Sequence, residues 1–319
     1  MKLSVLILLL IGINFTSFSQ PKSSKPEASS YPHVYLENDQ IRMKIFMPDA
    51  ANGYYRATRF DWSGIIGSLV YKGQEYFGAW KNGHDPFYHE DVLGPAEVFG
   101  NLGYAEDSPN FIRIGVGLCQ KPKGEKEYQW DATYKIVDGG SWSVEYQKET
   151  IVFVQELEVN NGFAYRYQKE IGIRTNGFYI KHQLWNTGEK TIATDQFNHH
   201  FFSFPPFKTG ENFTLIFDQS PEVKSGFEDH RVLIQGNVLT FKENIEEPVF
   251  LPLEHLGQNH QHGFTIQHPS NGGVKVKVDQ PLQRLTLWAN DRAISPENFI
   301  AIKVLPSEKM EWTASYELF

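Results

Sequence analysis

Four short turn sequences in the middle of the chain constrain the fold more than any other feature. They are Asp138-Gly139-Gly140, Asn160-Asn161-Gly162, Thr175-Asn176-Gly177 and Asn186-Thr187-Gly188. Asn, Asp and Gly tolerate the backbone conformations that tight hairpins require, and each turn separates runs in which apolar and polar residues alternate. Because helical periodicity is almost absent, the pattern predicts an antiparallel meander that extends from Tyr128 to Phe204.

Further alternating runs before and after this meander predict strands through the rest of the chain. They cover Ile41 to Phe46, Tyr54 to Trp62, Ile65 to Tyr71, Phe111 to Val116, Phe213 to Phe217, Val232 to Phe241, Gly263 to Gln267, Val274 to Val278, Leu282 to Trp288, Phe299 to Val304 and Trp312 to Leu318. No change of composition and no long linker divides these runs. Residues 31–319 are therefore predicted to form a single all-β domain, a large antiparallel sandwich.

The first 30 residues are predicted to lie outside this domain. Lys2, an apolar run and the small-x-small site at Ser17-Phe18-Ser19 are typical of a secretory signal peptide covering residues 1–19. The apolar run is too short to span a bilayer and no Cys follows it, so no membrane anchor is expected. Residues 20–30 are rich in Ser, Pro and Lys and are predicted to be a disordered lead-in. The mature chain is expected to be periplasmic or secreted.

Composition excludes some function classes. The only cysteine is Cys119, so no internal disulfide can form and the hydrophobic core must hold the fold. Acidic residues outnumber basic ones by 38 to 30, and no basic stretch carries interleaved aromatic residues, which makes nucleic acid a poor partner. We expect a monomer whose partner is a small ligand.

The stretch from Asp195 to Pro205 holds the most promising catalytic residue. Read as a strand, it sends His199 and its neighbour His200 to opposite faces. A histidine titrates near neutral pH, so His199, held among aromatic residues, is a candidate proton donor or acceptor. The alternative is a hydrogen-bonded histidine in the core, and the stretch alone does not separate the two.

The same stretch carries a resemblance to a known family. Asn198-His199-His200-Phe201-Phe202-Ser203-Phe204 resembles the Asn-His-x-Tyr-Phe-Asn-Leu strand of the galactose mutarotase (aldose 1-epimerase) superfamily. Asn298-Phe299, Val304-Leu305-Pro306-Ser307-Glu308 and Tyr316-Glu317-Leu318-Phe319 resemble its closing segment, and Leu93 to Gly100 resembles its Gly-Gly-x-Pro…Phe-Gly loop. The resemblance covers the chain from about Tyr31 to the C-terminus. It implies a supersandwich of two large antiparallel sheets with a sugar cleft on one concave face, and it implies that His199 is the general acid.

The chain departs from the family pattern at the base. Family members carry a glutamate base some residues before the closing segment, and the aligned position here is near Trp288, with no glutamate between Arg284 and Pro296. Alternation places Trp288 on the cleft side, where we predict that it is a stacking platform for sugar. Glu297 and Asp291 are the candidates for a relocated base, and Asp291 is also a candidate substrate contact.

The front of the chain supplies further candidates. The family's substrate-binding arginine is missing from the front loop of this chain. Glu97, in the same motif, is predicted to contact substrate at the edge of the cleft. Arg59 is a candidate for gripping a carboxylate in a bidentate fork. The polar loop that contains His89 has ligand types suited to a metal, but loop histidines and carboxylates more often face solvent. We therefore predict no metal and no cofactor.

Three functions are compatible with these residues. The first, which the departures from the family pattern favour, is an exported carbohydrate lyase or dehydratase that acts on uronate-containing oligosaccharides by β-elimination. Elimination needs a base for the C5 proton, an acid for the C4 leaving oxygen and a group that holds the carboxylate, roles open to His199, His89, Tyr104 and Arg59. The second is an aldose 1-epimerase with a relocated base, and the third is a non-catalytic sugar-binding sandwich.

Overall fold

In the computed structural model, every regular element of the described residues is a β-strand. The structure describes residues 31–254 and 262–319, so the predicted signal peptide and lead-in lie outside the described residues. Over these two ranges, no helix has the length and apolar character to cross a bilayer.

The described chain contains 23 strands. In chain order they are β1 His33–Glu37, β2 Ile41–Phe46, β3 Ile65–Tyr71, β4 Gln74–Glu75, β5 Ala96–Phe99, β6 Asn110–Arg113, β7 Gly117–Gln120, β8 Ile136–Asp138, β9 Ser141–Tyr146, β10 Thr150–Asn160, β11 Phe163–Arg174, β12 Gly177–Asn186, β13 Ile192–His199, β14 Thr214–Phe217, β15 Glu222–Val223, β16 Val232–Gln235, β17 Val238–Phe241, β18 Val249–Glu254, β19 His262–His268, β20 Gly272–Val278, β21 Leu282–Ala289, β22 Ile294–Val304 and β23 Lys309–Leu318.

Two large antiparallel sheets form the body, as predicted. A ten-stranded sheet runs in the order β16-β17-β14-β19-β20-β23-β12-β11-β10-β9, and a six-stranded sheet in the order β15-β18-β21-β22-β13-β5. Two smaller sheets, β1-β2-β3-β4 and β6-β7-β8, complete the fold. The inner face of each large sheet is apolar: Leu285 and Leu287 of β21 and Ile180 and Leu184 of β12 are buried in one core. Alternation along each strand produces this packing because successive side chains point to opposite faces.

Two of the four predicted hairpin turns are confirmed, at Asn160-Asn161-Gly162 and Thr175-Asn176-Gly177, whereas the turns at Asp138 and Asn186 connect strands of different sheets. β10 and β11 are joined at Asn161-Gly162, where both residues have positive φ, 50° and 81°. A β-hairpin turn of this kind needs such a conformation, which Gly and Asn tolerate better than other residues. β9 to β12 pair in chain order as a four-stranded meander, which is shorter than the predicted one: β12 has β23 on its other side in the ten-stranded sheet, and β13 belongs to the six-stranded sheet.

Several predicted strand bounds are wrong; for example, the run from Val232 to Phe241 is divided into β16 and β17. Residues from Tyr54 to Trp62 form an irregular buried segment, because its aromatic residues pack on both sides and give no solvent-facing row. The strand at Phe111 ends at Arg113, since Gly115 turns the chain with a φ of 81°. The strand predicted from Asp195 to Pro205 ends at His199, because Phe201 takes a φ of 28° that a strand cannot hold.

A buried ionic cluster joins the two sheets. It consists of Asp61, Glu97, Lys169 and His182, all of them buried. The Lys169 ammonium lies 2.5 Å from a Glu97 oxygen and 3.3 Å from an Asp61 oxygen, and His182 Nε2 lies 2.6 Å from the other Glu97 oxygen. Burial alone would raise the pKa of Glu97, but His182 and Lys169 outweigh it and hold that pKa at about 2. Lys169 therefore contacts both buried carboxylates, and His182 contacts one of them.

Replacing Lys169 by Met is expected to destabilise the protein by about 3–5 kcal/mol, because two carboxylates are left in the core without their cation. Urea unfolding followed by tryptophan fluorescence measures the change. Lys181→Met is the matched control on the next strand: its partly exposed ammonium is 3.7 Å from Glu311, so about 1 kcal/mol or less is expected. Equal unfolding midpoints for the two variants would contradict the role given to Lys169.

Candidate active site

His199 and Glu297 meet on the outer face of the six-stranded sheet. His199 Nε2 lies 3.1 Å from Glu297 Oε1, and the two side chains are only 2% and 8% exposed. His199 is the last residue of β13 and Glu297 lies within β22, the neighbouring strand. The antiparallel register pairs Phe197 with Phe299, so His199 and Glu297 come directly opposite each other and share one face.

Thr286 orients the glutamate from the other side. Thr286 of β21 is the register partner of Glu297, and its hydroxyl donates a 2.5 Å hydrogen bond to Glu297 Oε2. One carboxylate oxygen therefore contacts the imidazole, and the other is held by a hydroxyl. Three adjacent strands fix the position of this group, which suits a group whose reactive atoms must be held in place.

Aromatic rings surround the His199–Glu297 pair. The His199 ring stacks on Phe201 with centroids 3.9 Å apart, and its edge faces Phe60 at 6.1 Å and Trp288 at 5.1 Å. Such a site excludes water and strengthens every electrostatic interaction inside it. The second imidazole nitrogen, Nδ1, is buried and has no hydrogen-bond partner among the described residues.

Burial shifts the pKa values of the two titrating groups in opposite directions. Burial, followed by the positive charge of Arg59, lowers the pKa of His199 well below its usual range. Burial raises the pKa of Glu297 to about 7, against the opposing effect of the Thr286 hydrogen bond. Two groups this close titrate as one unit. Between these two pKa values the pair holds a single proton, and that proton resides mainly on Glu297 because its pKa is the higher of the two.

Arg59 lies at the edge of the same site. Its guanidinium is 2.9 Å from a Glu90 oxygen and packs over Trp130, 4.5 Å from the ring centroid. His89 belongs to this edge as well: its Nε2 is 3.8 Å from Glu90, and its ring meets Trp130 edge-on. The structure thus brings two predicted residues, Arg59 and His89, to one rim beside the aromatic surround of His199.

Trp288 is another of the aromatic residues around His199. It lies on the outer face of β21, partly exposed, and meets Trp80 edge-on at 5.6 Å. Further along the same strand and face, the Arg284 guanidinium packs over the Phe299 ring at 3.7 Å. Arg284, Thr286 and Trp288 share one face, since their register partners are alternate residues of β22, and Leu285 and Leu287 are buried on the inner face.

Three predicted site residues lie elsewhere. Glu97 is inside the ionic cluster between the sheets, with its oxygens on Lys169 and His182, because alternation along β5 sends it inward. Tyr104 packs in a separate aromatic cluster with Phe111, and its hydroxyl donates to a backbone carbonyl. Asp291 is in the turn after β21, where its carboxylate pairs with Arg292 at 3.5 Å. None of the three contacts His199 or Glu297.

The family pattern places the base near Trp288, where this chain has no glutamate. The structure puts Glu297, which we considered only as a relocated base, against His199. The sequence shows by alternation which residues of β13 and β22 share a face. It does not show the register between the two strands, which is what brings Glu297 opposite His199. The sequence does not indicate that Glu90 and Trp130 lie at this site, because the position of a loop residue depends on tertiary packing.

No cluster of three or more His, Cys, Asp or Glu side chains within residues 31–254 and 262–319 is arranged to hold a metal ion. The expectations that the protein needs no metal and no cofactor stay predictions.

Several solved structures share the fold of this chain. A galactose mutarotase related enzyme from Lactobacillus acidophilus is 12% identical, with a TM-score of 0.55, over 90% of this chain and 97% of its own. A galactose mutarotase-like protein from Lactobacillus casei is 14% identical, with a TM-score of 0.56, over 90% and 100%. An aldose epimerase homologue from C. elegans is 11% identical, with a TM-score of 0.55, over 90% and 98%.

The other two comparisons add no relative. No family model matches the chain. No curated protein matches it either. The similarities therefore establish that the chain has the galactose mutarotase-like fold, as the sequence resemblance implied.

Proposed function

We propose that this protein is an aldose 1-epimerase, in which Glu297 is the base and His199 is the acid. In the singly protonated pair, with the proton moved from Glu297 to His199 across their 3.1 Å contact, Glu297 takes the proton from the anomeric hydroxyl while His199 protonates the ring oxygen, and the bond between C1 and the ring oxygen breaks to give the open aldehyde. Rotation about the C1–C2 bond and the reverse proton transfers then close the ring as the other anomer. Each cycle returns the single proton to the pair.

The observation that carries this proposal is the 3.1 Å contact between Glu297 Oε1 and His199 Nε2 on one face of the sheet. The anomeric hydroxyl and the ring oxygen are both bonded to C1, so acid and base must be close neighbours to serve both. The hydrogen-bonding capacity left at His199 Nδ1 also suits a polar ligand. A base is thus available beside the acid. The sequence favours β-elimination only because it shows no glutamate at the family's base position.

The side chains around the pair suit a sugar. Trp288 is partly exposed at 5.1 Å from the His199 ring and offers a flat apolar surface for a sugar ring. Arg59 and His89 supply donors at the rim for hydroxyl groups. We further propose, as the sequence predicts, that the protein acts after export as a monomer without a cofactor.

The position of Arg59 favours a second candidate function, which is β-elimination from a uronate. Its guanidinium lies close enough to contribute to the pKa values of both His199 and Glu297, so a substrate carboxylate bound to it would lie near the pair. Neutralising that carboxylate makes the C5 proton easier to remove. This arrangement would use the same acid and base on a different carbon.

Two readouts on the same samples separate these functions. Freshly dissolved reducing hexoses and hexuronates are followed by polarimetry, and uronate oligosaccharides by absorbance near about 235 nm, where unsaturated products absorb. Faster polarimetric relaxation without new absorbance supports the epimerase. New absorbance without faster relaxation replaces it with a lyase, and saturable binding without either signal leaves a sugar-binding sandwich.

A further inference from the structure

Two exposed phenylalanines extend the outer face of the site beyond Trp288. Phe250 of β18 is the register partner of Trp288, so the two side chains stand side by side on one face of adjacent strands. Phe227, in the turn after β15, meets Phe250 edge-on with centroids 6.4 Å apart. Phe250 is 51% exposed and Phe227 is 43% exposed. We call Trp288, Phe250 and Phe227 the aromatic strip.

The two phenylalanines differ from the other exposed aromatic residues near the site. Phe87, Tyr88 and Trp130 are each covered by a cation, with Arg56, Lys81 and Arg59 lying 4.4 Å, 4.4 Å and 4.5 Å from the respective ring centroids. Among the described residues, Phe250 and Phe227 have a ring contact only with each other. Phenylalanine also lacks a polar group that would benefit from water, so exposure of this pair calls for a ligand.

The size of the strip fits a sugar chain better than a protein. A stable protein interface buries about 800 Å² on each partner, whereas a large aromatic side chain buries about 150–250 Å² in total. Two half-exposed rings therefore fall well short of an interface. They form a narrow row that begins at Trp288, 5.1 Å from the His199 ring, and runs outward across β18.

We propose that the aromatic strip binds the second and third sugar units of an oligosaccharide whose reducing-end unit occupies the His199–Glu297 site. The assignment rests on the proposed function, because an epimerase must hold the free anomeric carbon at the pair and leave the rest of the chain to extend outward. Phe250 and Phe227 present apolar faces on which successive sugar rings stack. The substrate class is a reducing oligosaccharide rather than a monosaccharide.

The test compares chain lengths. Binding is titrated calorimetrically with reducing hexose and hexuronate oligosaccharides of one to four units, using wild type, Phe250→Ala, Phe227→Ala and Leu305→Ala. Leu305 is the matched control: it is also an exposed apolar residue, 44% exposed, and it lies eight positions beyond Glu297, about 26 Å along the strand direction. We expect wild-type affinity to rise with chain length. Phe250→Ala and Phe227→Ala should weaken tri- and tetrasaccharide binding about three- to tenfold and leave the monosaccharide unchanged.

Several outcomes would overturn the proposal. They are wild-type affinity that does not rise with chain length, an equal loss for monosaccharide and tetrasaccharide in Phe250→Ala, or the same loss in Leu305→Ala. Failure of the proposed function would give a different result, because the wild type would then show no anomeric exchange on any sugar. The dependence of affinity on chain length is measured by binding alone.

Discussion

Replacing Glu297 by Gln is expected to lower turnover of a reducing sugar about 10²–10⁴-fold, the usual cost of losing a proton-transfer group. The amide keeps the size of the side chain and can still accept the Thr286 hydrogen bond, so the fold and the Michaelis constant should change little. The amide cannot take a proton from the anomeric hydroxyl, and the loss should therefore appear in kcat. Initial rates of mutarotation at equal folded concentration measure it.

Glu254→Gln provides the control for this prediction. Glu254 is an exposed glutamate at the end of β18, in the same sheet. Its replacement should leave turnover unchanged. If Glu297→Gln retained more than half of the wild-type rate, Glu297 would not be the base.

His199→Asn is expected to have a loss of similar size, about 10²–10⁴-fold in turnover, because the amide cannot protonate the ring oxygen. The neighbouring histidine gives a contrasting variant. His200 is hydrogen-bonded to the Pro296 carbonyl at 2.6 Å and to the Tyr316 hydroxyl at 3.2 Å, in the core between the sheets. His200→Asn should therefore cost about 1–3 kcal/mol of stability and leave turnover per folded molecule nearly unchanged.

Paired measurements of urea midpoint and rate on both variants separate the two roles. A stability loss in His199→Asn with wild-type turnover would make His199 a core histidine, which is the alternative reading of the sequence. Loss of turnover in both variants, at equal folded concentration, would contradict the division of roles between the two faces of β13.

Local chemistry made much of the fold predictable. The turn residues and the alternating runs predict the meander. The predicted bounds of β2 and β3 are those found in the structure. Alternation also placed His199 outward and His200 inward, although the strand ends between them. These features depend on neighbours in sequence, where hairpin chemistry and the two-residue period apply.

Features that depend on strand register were not predictable. Glu297 faces His199 because β13 and β22 pair with Phe197 opposite Phe299, and a slip of one residue would have put it on the other face. Glu97 was misassigned for a related reason. Its motif does border the site, but the residue itself points inward to Lys169. Side chains that meet across sheets follow from packing, which a single sequence does not encode locally.

The pH dependence of kcat/KM tests most directly whether Glu297 and His199 act as one unit. The form with a single proton is the active one, since it can both accept and donate. Raising the pH through about 7, the pKa of Glu297, removes that proton, and lowering it through the depressed pKa of His199 adds a second one.

The wild-type profile should therefore be bell-shaped, with its alkaline limb centred near pH 7 and its acid limb below the usual range of histidine. The residual activity of Glu297→Gln should lack the limb near 7. A wild-type rate that rises through pH 7 to a plateau at alkaline pH would show that an ionised group acts without the shared proton, and it would contradict the account.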